Sequence, residues 1–466
     1  MAEGIADSSP GPPRLKGAAV DPVASPASPA SPSPVRAGRS WREFASLAAV
    51  AIAVPLIWWI GWAAWRGAPG YNDFHDFWFA AKLITMGHSP YDKAALAALA
   101  NSEGLHFLVG TGYSYPLPFA LAMIPFVALP FEAAILVFNC IGLALFGLTV
   151  AAWIGWAHGW QPDLARRRLL LAAGAGLYPS VYGTIANGQA NLVLFPLLGL
   201  GTMALLDGER RRGFAGGIGV GLAAVVKLTP GAMAVPLLLG RRLSAAAGSV
   251  LGAAAALAVS TFLAPWAGAG SGGLADLLEP DSYFTNQSIN GFVSRLVNPS
   301  ERTVPLWPHA FDPRLPMLVA TVLFGLLTFL VLWRARTLLQ ERRGLALGLG
   351  MALVAALIGA PKGTYWNQAM ILIPVGLLLA VEAPDLRLRR FARADRVLLL
   401  LWLVGTAVQT VLWIFPPSKS IALAPAVTIL QSSSIYGLLA LWLVFARRLL
   451  NSPATQEELR VGASGR

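Results

Sequence analysis

The feature that most constrains this chain is a repeated alternation of long apolar runs with short arginine clusters. Phe44 to Trp65, Ser244 to Trp266, Met317 to Leu332 and Val397 to Phe415 are each close to the ~20 residues that carry a helix across a bilayer. Composition agrees. Of 466 residues 56% are hydrophobic and only 12% charged, about half the ~25% charge of a soluble domain, so most of the chain is built for lipid. A net charge of +12 in a soluble protein would suggest nucleic acid. Here the basic residues sit between apolar runs, where they set topology against an anionic cytoplasmic leaflet, and no nucleic-acid partner is expected.

The expected fold is an all-α polytopic membrane protein. Residues 1–40 are rich in Pro, Ala, Ser and Gly and read as a disordered cytoplasmic tail. The run after Arg36, Arg39 and Arg42 ends in Trp62 and Trp65. It lacks a small-residue cleavage site and reads as a retained anchor. Further inside clusters are Arg166-Arg167-Arg168, Arg210-Arg211-Arg212, Arg241-Arg242, Arg334 to Arg343, Arg387 to Arg396 and Arg447-Arg448. An even number of crossings must separate consecutive clusters. Two intervals are awkward. Phe214 to Val226 and Gly231 to Leu239 are too short for two full spans and read as half-length helices meeting at Lys227-Leu228-Thr229-Pro230. Tyr115 to Pro130 reads as an interfacial or re-entrant helix, since such breaks are tolerated only beside protein or an aqueous cavity. The expectation is a transmembrane domain over 41–449 with about 12 spans. Its large outside loops are 67–132, carrying interfacial helices, and 267–313, and a short cytoplasmic tail follows at 450–466. Both termini are then cytoplasmic, in a multi-pass protein of the plasma (inner) membrane.

This topology gathers most polar, non-basic groups on the outside: Asp73-Phe74-His75-Asp76, Asn187-Gly188-Gln189, Lys227-Leu228-Thr229-Pro230, Asn286-Gln287-Ser288-Ile289-Asn290 with Arg295, and Lys362 to Gln368. Polar groups packed against spans are costly and usually face a cavity. Asp73 and Asp76 have the spacing of a helix cap, or one serves as a general base. Lys227 is a snorkelling end-of-helix charge or the partner of a buried anion. Arg295 suits a phosphate bidentately, or a loop salt bridge. The tryptophans sit mostly at span ends as interface anchors. Cys140 is a packing residue. The scattered histidines show no metal spacing, and no cofactor motif is present.

At these same residues the chain resembles the GT-C class of integral membrane glycosyltransferases, and within it glycosyltransferase family 87, which includes polyprenyl-phosphate-mannose-dependent α-mannosyltransferases. The similarity is carried in order by Asp73-Phe74, Phe77-Trp78, Ala80-Ala81, Gly87, Pro90-Tyr91-Asp92, Tyr115-Pro116-Leu117-Pro118, Gly188-Gln189-Ala190-Asn191, Lys227-Leu228-Thr229-Pro230 and Asn286-Gln287-Ser288-Ile289-Asn290-Gly291 with Arg295-Leu296. One departure stands at Ala360 to Gln368, where the family often follows its tryptophan with histidines. Here Asn367 and Gln368 follow Trp366, and amides do not titrate.

The resemblance implies a GT-C-like bundle that moves a hexose, mannose by the family pattern, from a polyprenyl-phosphate donor. The acceptor would be a lipid or glycan on the non-cytoplasmic face, reached by an inverting displacement. It implies Asp73 as base, supported by Asp76 and His75. Lys227, Arg295 and Lys362 would hold the donor phosphate. Tyr115, Asn187, Gln189, Asn286, Gln287, Asn290, Trp366, Asn367 and Gln368 would bind substrate. The rival readings are a transporter or lipid-linked sugar flippase, which would favour internal repeats not visible here, and a non-catalytic scaffold, which the missing histidines would suit.

Overall fold

The computed structural model describes residues 41–66, 72–104, 113–160, 167–267, 279–382, 391–415 and 424–451. The two tails outside 41–451, the turn at 416–420 and parts of both long loops lie outside the described residues. Among the described residues the chain is helical, apart from one isolated antiparallel bridge between Asn286 and Thr364.

The apolar run after Arg42 forms α1 (Trp41–Arg66). An outer layer follows. Its helices are α2 (Asn72–Thr85), α3 (Lys93–Ser102), α4 (Leu117–Ala122) and α5 (Ile124–Val127). Asp92 caps α3 by accepting from the Ala94 and Ala95 amides, both at 3.0 Å. The single interfacial helix expected over Tyr115 to Pro130 is two short helices, with Pro118 and Pro125 each in a first turn, where no amide hydrogen is needed. Phe74, Phe77, Trp78, Phe119 and Met123 give this layer its own core. α6 (Phe131–Trp160) then crosses back beside α1.

The central part begins with α7 (Arg168–Gly176) and α8 (Pro179–Asn187), one span bent by 44°. Pro179 cannot continue the hydrogen-bond ladder, so the bend falls at the Leu177-Tyr178 joint. Next are α9 (Asn191–Leu206), α10 (Arg210–Val226), a 3₁₀ turn Thr229–Met233, α11 (Ala234–Leu239) and α12 (Leu243–Leu263). α10 is glycine-rich because it is squeezed from two sides. A Cβ on Gly216 would strike the α9 backbone, and one on Gly217 or Gly221 the α12 backbone.

The last part holds α13 (Ile289–Val297), α14 (Arg314–Arg334), α15 (Arg342–Gly359), a 3₁₀ segment Tyr365–Ile371, α16 (Leu372–Glu382), α17 (Arg393–Ile414), α18 (Ala424–Leu430) and α19 (Ser433–Leu450). α15 is buried nearly all round, while α14 exposes Leu318, Val322, Leu323 and Leu326 as a lipid-facing helix would.

Among the described residues eight helical segments are long and apolar enough to span, nine counting the bent α7–α8 pair. The other crossings expected from the arginine spacing would fall to α9, α10 and the Thr229–Leu239 piece, which are shorter. The arginine-bearing ends meet in one layer. Arg168 pairs with Glu43, and Asp207 with Arg212 and Arg342. Glu382 takes Arg343 at 2.6 Å and Arg448 at 3.1 Å, and Asp395 takes Arg447 at 2.8 Å.

Candidate active site

The site is built where α8 stops. Gly188 adopts φ +65°, and its amide closes onto the end of α8. A Cβ there would lie 2.6 Å from the Phe74 Cβ. Only glycine allows both the left-handed turn and the close approach of α2. The reversal aims Gln189 at the first turn of α2, where its side-chain amide donates to Asp73 Oδ2 at 2.5 Å. The Asp73 carboxylate therefore reaches across to another helix.

Gln189 Oε1 also accepts from the Tyr115 hydroxyl at 2.8 Å, and Lys227 Nζ lies 3.5 Å away. α10 ends at Val226, and Lys227 turns to extended backbone ahead of Pro230. Its ammonium donates to Asn367 Oδ1 at 2.5 Å and Asn191 Oδ1 at 3.0 Å, with the Tyr115 hydroxyl at 3.4 Å and the Tyr115 ring centre at 5.6 Å. All four partners are neutral oxygens, so a half-buried ammonium stands beside a half-buried carboxylate with Gln189 between them. Burial pushes the Asp73 carboxyl above its ordinary 3.8, against the Gln189 hydrogen bond, the Lys227 charge and the Trp366 indole. Burial, then the Asp73 charge, raises the Tyr115 hydroxyl and keeps it protonated, as its bond to Gln189 requires.

Asn191, which the sequence does not mark as a site residue, is fully buried within the site. It accepts from Lys227 and donates to the Trp366 carbonyl at 2.9 Å, which Thr184 also reaches at 3.0 Å. The available signal is an asparagine two residues after Gln189, at the start of an apolar helix. Asn187 turns back to the Gly183 carbonyl of its own helix at 2.7 Å. His75 stacks on Phe131 with centroids 4.4 Å apart, and the Asp76 charge is felt at Tyr113 and Tyr115. Lys362 is exposed, and its carbonyl receives the Asn367 amide at 3.2 Å.

The remaining residues form a second network. Asn286 Oδ1 accepts from Ser288 and from the Gly363 amide, and the Gln287 amide donates to the Gly363 carbonyl. The Gln287 side chain bonds the Phe284 and Gln431 carbonyls, and that of Asn290 the Glu279 carbonyl. Gln368 Oε1 accepts from Ser434 at 2.7 Å. Arg295 is fully enclosed. Its guanidinium donates to the Asn286 carbonyl at 2.6 Å, the Tyr283 carbonyl at 3.1 Å and Ser432 Oγ at 3.0 Å. Burial lowers it to about 10, with Asp281 opposing, so it stays charged at neutral pH. This network grips the strip 363–367 from one side, and the strip delivers Trp366 and Asn367 to Lys227 and Asn191. Among the described residues no three His, Cys, Asp or Glu side chains are grouped to hold a metal ion.

No curated protein matches the chain. The model of glycosyltransferase family 87 matches residues 113–361, more than half of the 466 residues. That stretch takes in Tyr115, Gln189, Asn191, Lys227 and the Asn286–Arg295 network, while Asp73 precedes it and Trp366 follows it. A match of that extent over a polytopic helical chain shows that this protein belongs to glycosyltransferase family 87 and is a membrane glycosyltransferase.

Proposed function

We propose that the protein transfers a hexose, mannose by its family resemblance, from a polyprenyl-phosphate donor to a lipid or glycan hydroxyl on the non-cytoplasmic face. The observation that carries this reading is the pairing of Asp73 with Lys227 through Gln189. The acceptor oxygen attacks the anomeric carbon while Asp73 takes its proton. The bond to the phosphate oxygen breaks, the electron pair leaves with the lipid phosphate, and the anomeric configuration inverts. A phosphate leaves as a stable anion, so the site needs a cation more than an acid. Lys227, held by neutral oxygens only, supplies that charge, and exposed Lys362 extends it. Asp76 and His75 flank the acceptor side. Arg295 acts by steadying the strip 363–367.

The test is turnover of a radiolabelled polyprenyl-phosphate hexose by purified protein. Asp73→Asn should lose roughly 10²–10⁴-fold in rate at unchanged expression, because an amide keeps the shape but cannot take the proton. Asp76→Asn should retain measurable turnover. Normal turnover in Asp73→Asn would reject the assignment.

A further inference from the structure

Asp73 and Lys227 carry opposite charges, and the Lys227 charge is felt at Asp73. Opposite charges this close inside a protein ordinarily meet as a salt bridge, and each then spends itself on the other. Here one neutral side chain stands between them. Gln189 is 7% exposed, and its backbone amide donates to the Thr184 carbonyl at 2.9 Å, directly after the Gly188 turn. Its carboxamide is held at both ends. Oε1 faces two donors, the Tyr115 hydroxyl at 2.8 Å and the Lys227 ammonium at 3.5 Å. An ammonium has no acceptor to offer, so the carboxamide fits only one way round, with its N–H toward Asp73 Oδ2 at 2.5 Å. Asn367 and Asn191 hold the same ammonium with two further neutral oxygens.

We infer, on the reading of Asp73 as base and Lys227 as the phosphate's partner, that Gln189 is a positioning residue. It keeps the two from neutralising each other, so that one stays a base and the other a free cation. The task needs a side chain that is neutral, donates at one end and accepts at the other, and glutamine has both ends. Methionine fills the same space and answers neither group. Glutamate still accepts from Tyr115 and Lys227 but turns a like charge on Asp73. The charges around Asp73 make the consequences definite. Lys227 acts on it directly, Asp76 is felt at Tyr113 and Tyr115, Tyr115 stays protonated, and His75 stacks on Phe131. Burial holds the Asp73 carboxyl above its ordinary 3.8, and the Gln189 hydrogen bond opposes that rise. Loss of the hydrogen bond alone would raise the carboxyl further. Closure onto Lys227 would lower it, because an adjacent opposite charge favours the ionised form. The two outcomes have opposite signs.

The experiment uses the purified full chain and two readouts. The first needs no substrate. A membrane-permeant carbodiimide activates a carboxyl, which condenses to an amide with an amine in direct contact while the carbodiimide becomes a urea. By mass spectrometry wild type should carry the carbodiimide adduct on Asp73 and no Asp73–Lys227 amide, and Gln189→Met should form that cross-link. The second readout is turnover of radiolabelled polyprenyl-phosphate mannose. Gln189→Met should raise the donor KM roughly tenfold, the scale of a lost charge-assisted hydrogen bond. It should also move the acid limb of the kcat/KM profile down by about one pH unit or more, whereas Gln189→Glu should move it up. In the Gln189→Met background Lys227→Met should change the donor KM by less than about threefold, because the charge is already spent. A residue that only packs would lower rate and stability and move neither limb. If Gln189→Met does not fold, Gln189→Glu decides, and an unmoved limb there overturns the inference. An Asp73 adduct without a cross-link in Gln189→Met, or an acid limb that stays or rises in it, would also overturn it. Normal turnover in Asp73→Asn would instead reject Asp73 as the base, and the cross-link would still report the separation.

Discussion

At the residue scale, Asp73 and Lys227 are held in states that cost stability and serve chemistry. Burial raises the Asp73 carboxyl above 3.8, so folding favours its protonated form. The stability this gives is complete below the ordinary carboxylate range and is lost as pH rises through the raised value. At neutral pH the charged form is therefore a burden, and Asp73→Asn removes it. Thermal unfolding in detergent across pH 4 to 8, a window of roughly the carboxylate range and above, should show Asp73→Asn as stable as wild type at acid pH. Near neutral pH it should be equal or more stable. A variant clearly less stable near neutrality would make the Asp73 charge a structural element rather than a burden. Lys227 poses the complementary question. Lys227→Met keeps the stem and removes the charge. It should raise the apparent donor KM roughly tenfold to a hundredfold, the scale of a lost charge-assisted hydrogen bond. An unchanged donor KM would leave Lys227 as an end-of-helix charge with no part in anion binding.

At the scale of elements, the site depends on α10 lying close against its neighbours. A Cβ on Gly221 would enter the Ser249 backbone of α12, whereas one on Gly213 of the same helix meets nothing within 4 Å. Gly221→Leu should cost about 1–3 kcal/mol as an overpacked contact and shift Lys227 from Asn191 and Asn367. Gly213→Leu is the control, and both are read by thermal unfolding and donor KM. Equal behaviour of the two would mean that the tight α10–α12 contact does not position Lys227. Much of this scale was legible in the sequence. Phe44 to Trp65 and Val397 to Phe415 each lie in a helix long and apolar enough to span, because each apolar run fills a bilayer. Asn187-Gly188-Gln189 stands in the sequence as a polar group between two apolar runs, and Gly188 makes the left-handed turn between α8 and α9. What could not be read was partnership. Nothing local in Asn286-Gln287-Ser288-Ile289-Asn290 says that its amides clamp the strip 363–367, some 75 residues further on. Nor does it say that Arg295 is sealed behind them. A polar motif looks alike whether it faces a substrate or another strand of its own chain, because both demand the same donors and acceptors. Asn191 stands in the sequence only as the last residue of Gly188-Gln189-Ala190-Asn191, and nothing local there says that it meets Lys227 and the Trp366 carbonyl.

At the scale of the whole molecule, the arginine-bearing ends and the Asp73–Lys227 centre occupy opposite ends of the bundle's helices. α9 begins at Asn191, in the site, and runs to Asp207, which pairs with Arg212 and Arg342. α16 follows the 3₁₀ segment that carries Asn367 and ends at Glu382, which pairs with Arg343 and Arg448. Arginines are retained on the cytoplasmic side during insertion, so a layer that joins this many of them by ion pairs fixes one answer for every helix it contains. In the proposed reaction the centre then faces the other side, where polyprenyl-linked sugars are consumed. This is testable without any substrate. With Cys140 replaced by alanine, a cysteine at exposed Lys362, beside the strip 363–367, should react with a membrane-impermeant thiol reagent in intact cells. A cysteine at Glu209, exposed in the arginine layer, should react only after the membrane is opened. The two positions belong to opposite ends of the helices, so each controls for the other. Reversed labelling would place the centre in the cytoplasm, beside nucleotide-activated sugars, and the lipid-phosphate donor would have to be abandoned. Labelling of both in intact cells would mean that the arginine layer does not lie on one side, and the crossing pattern drawn from it would fall.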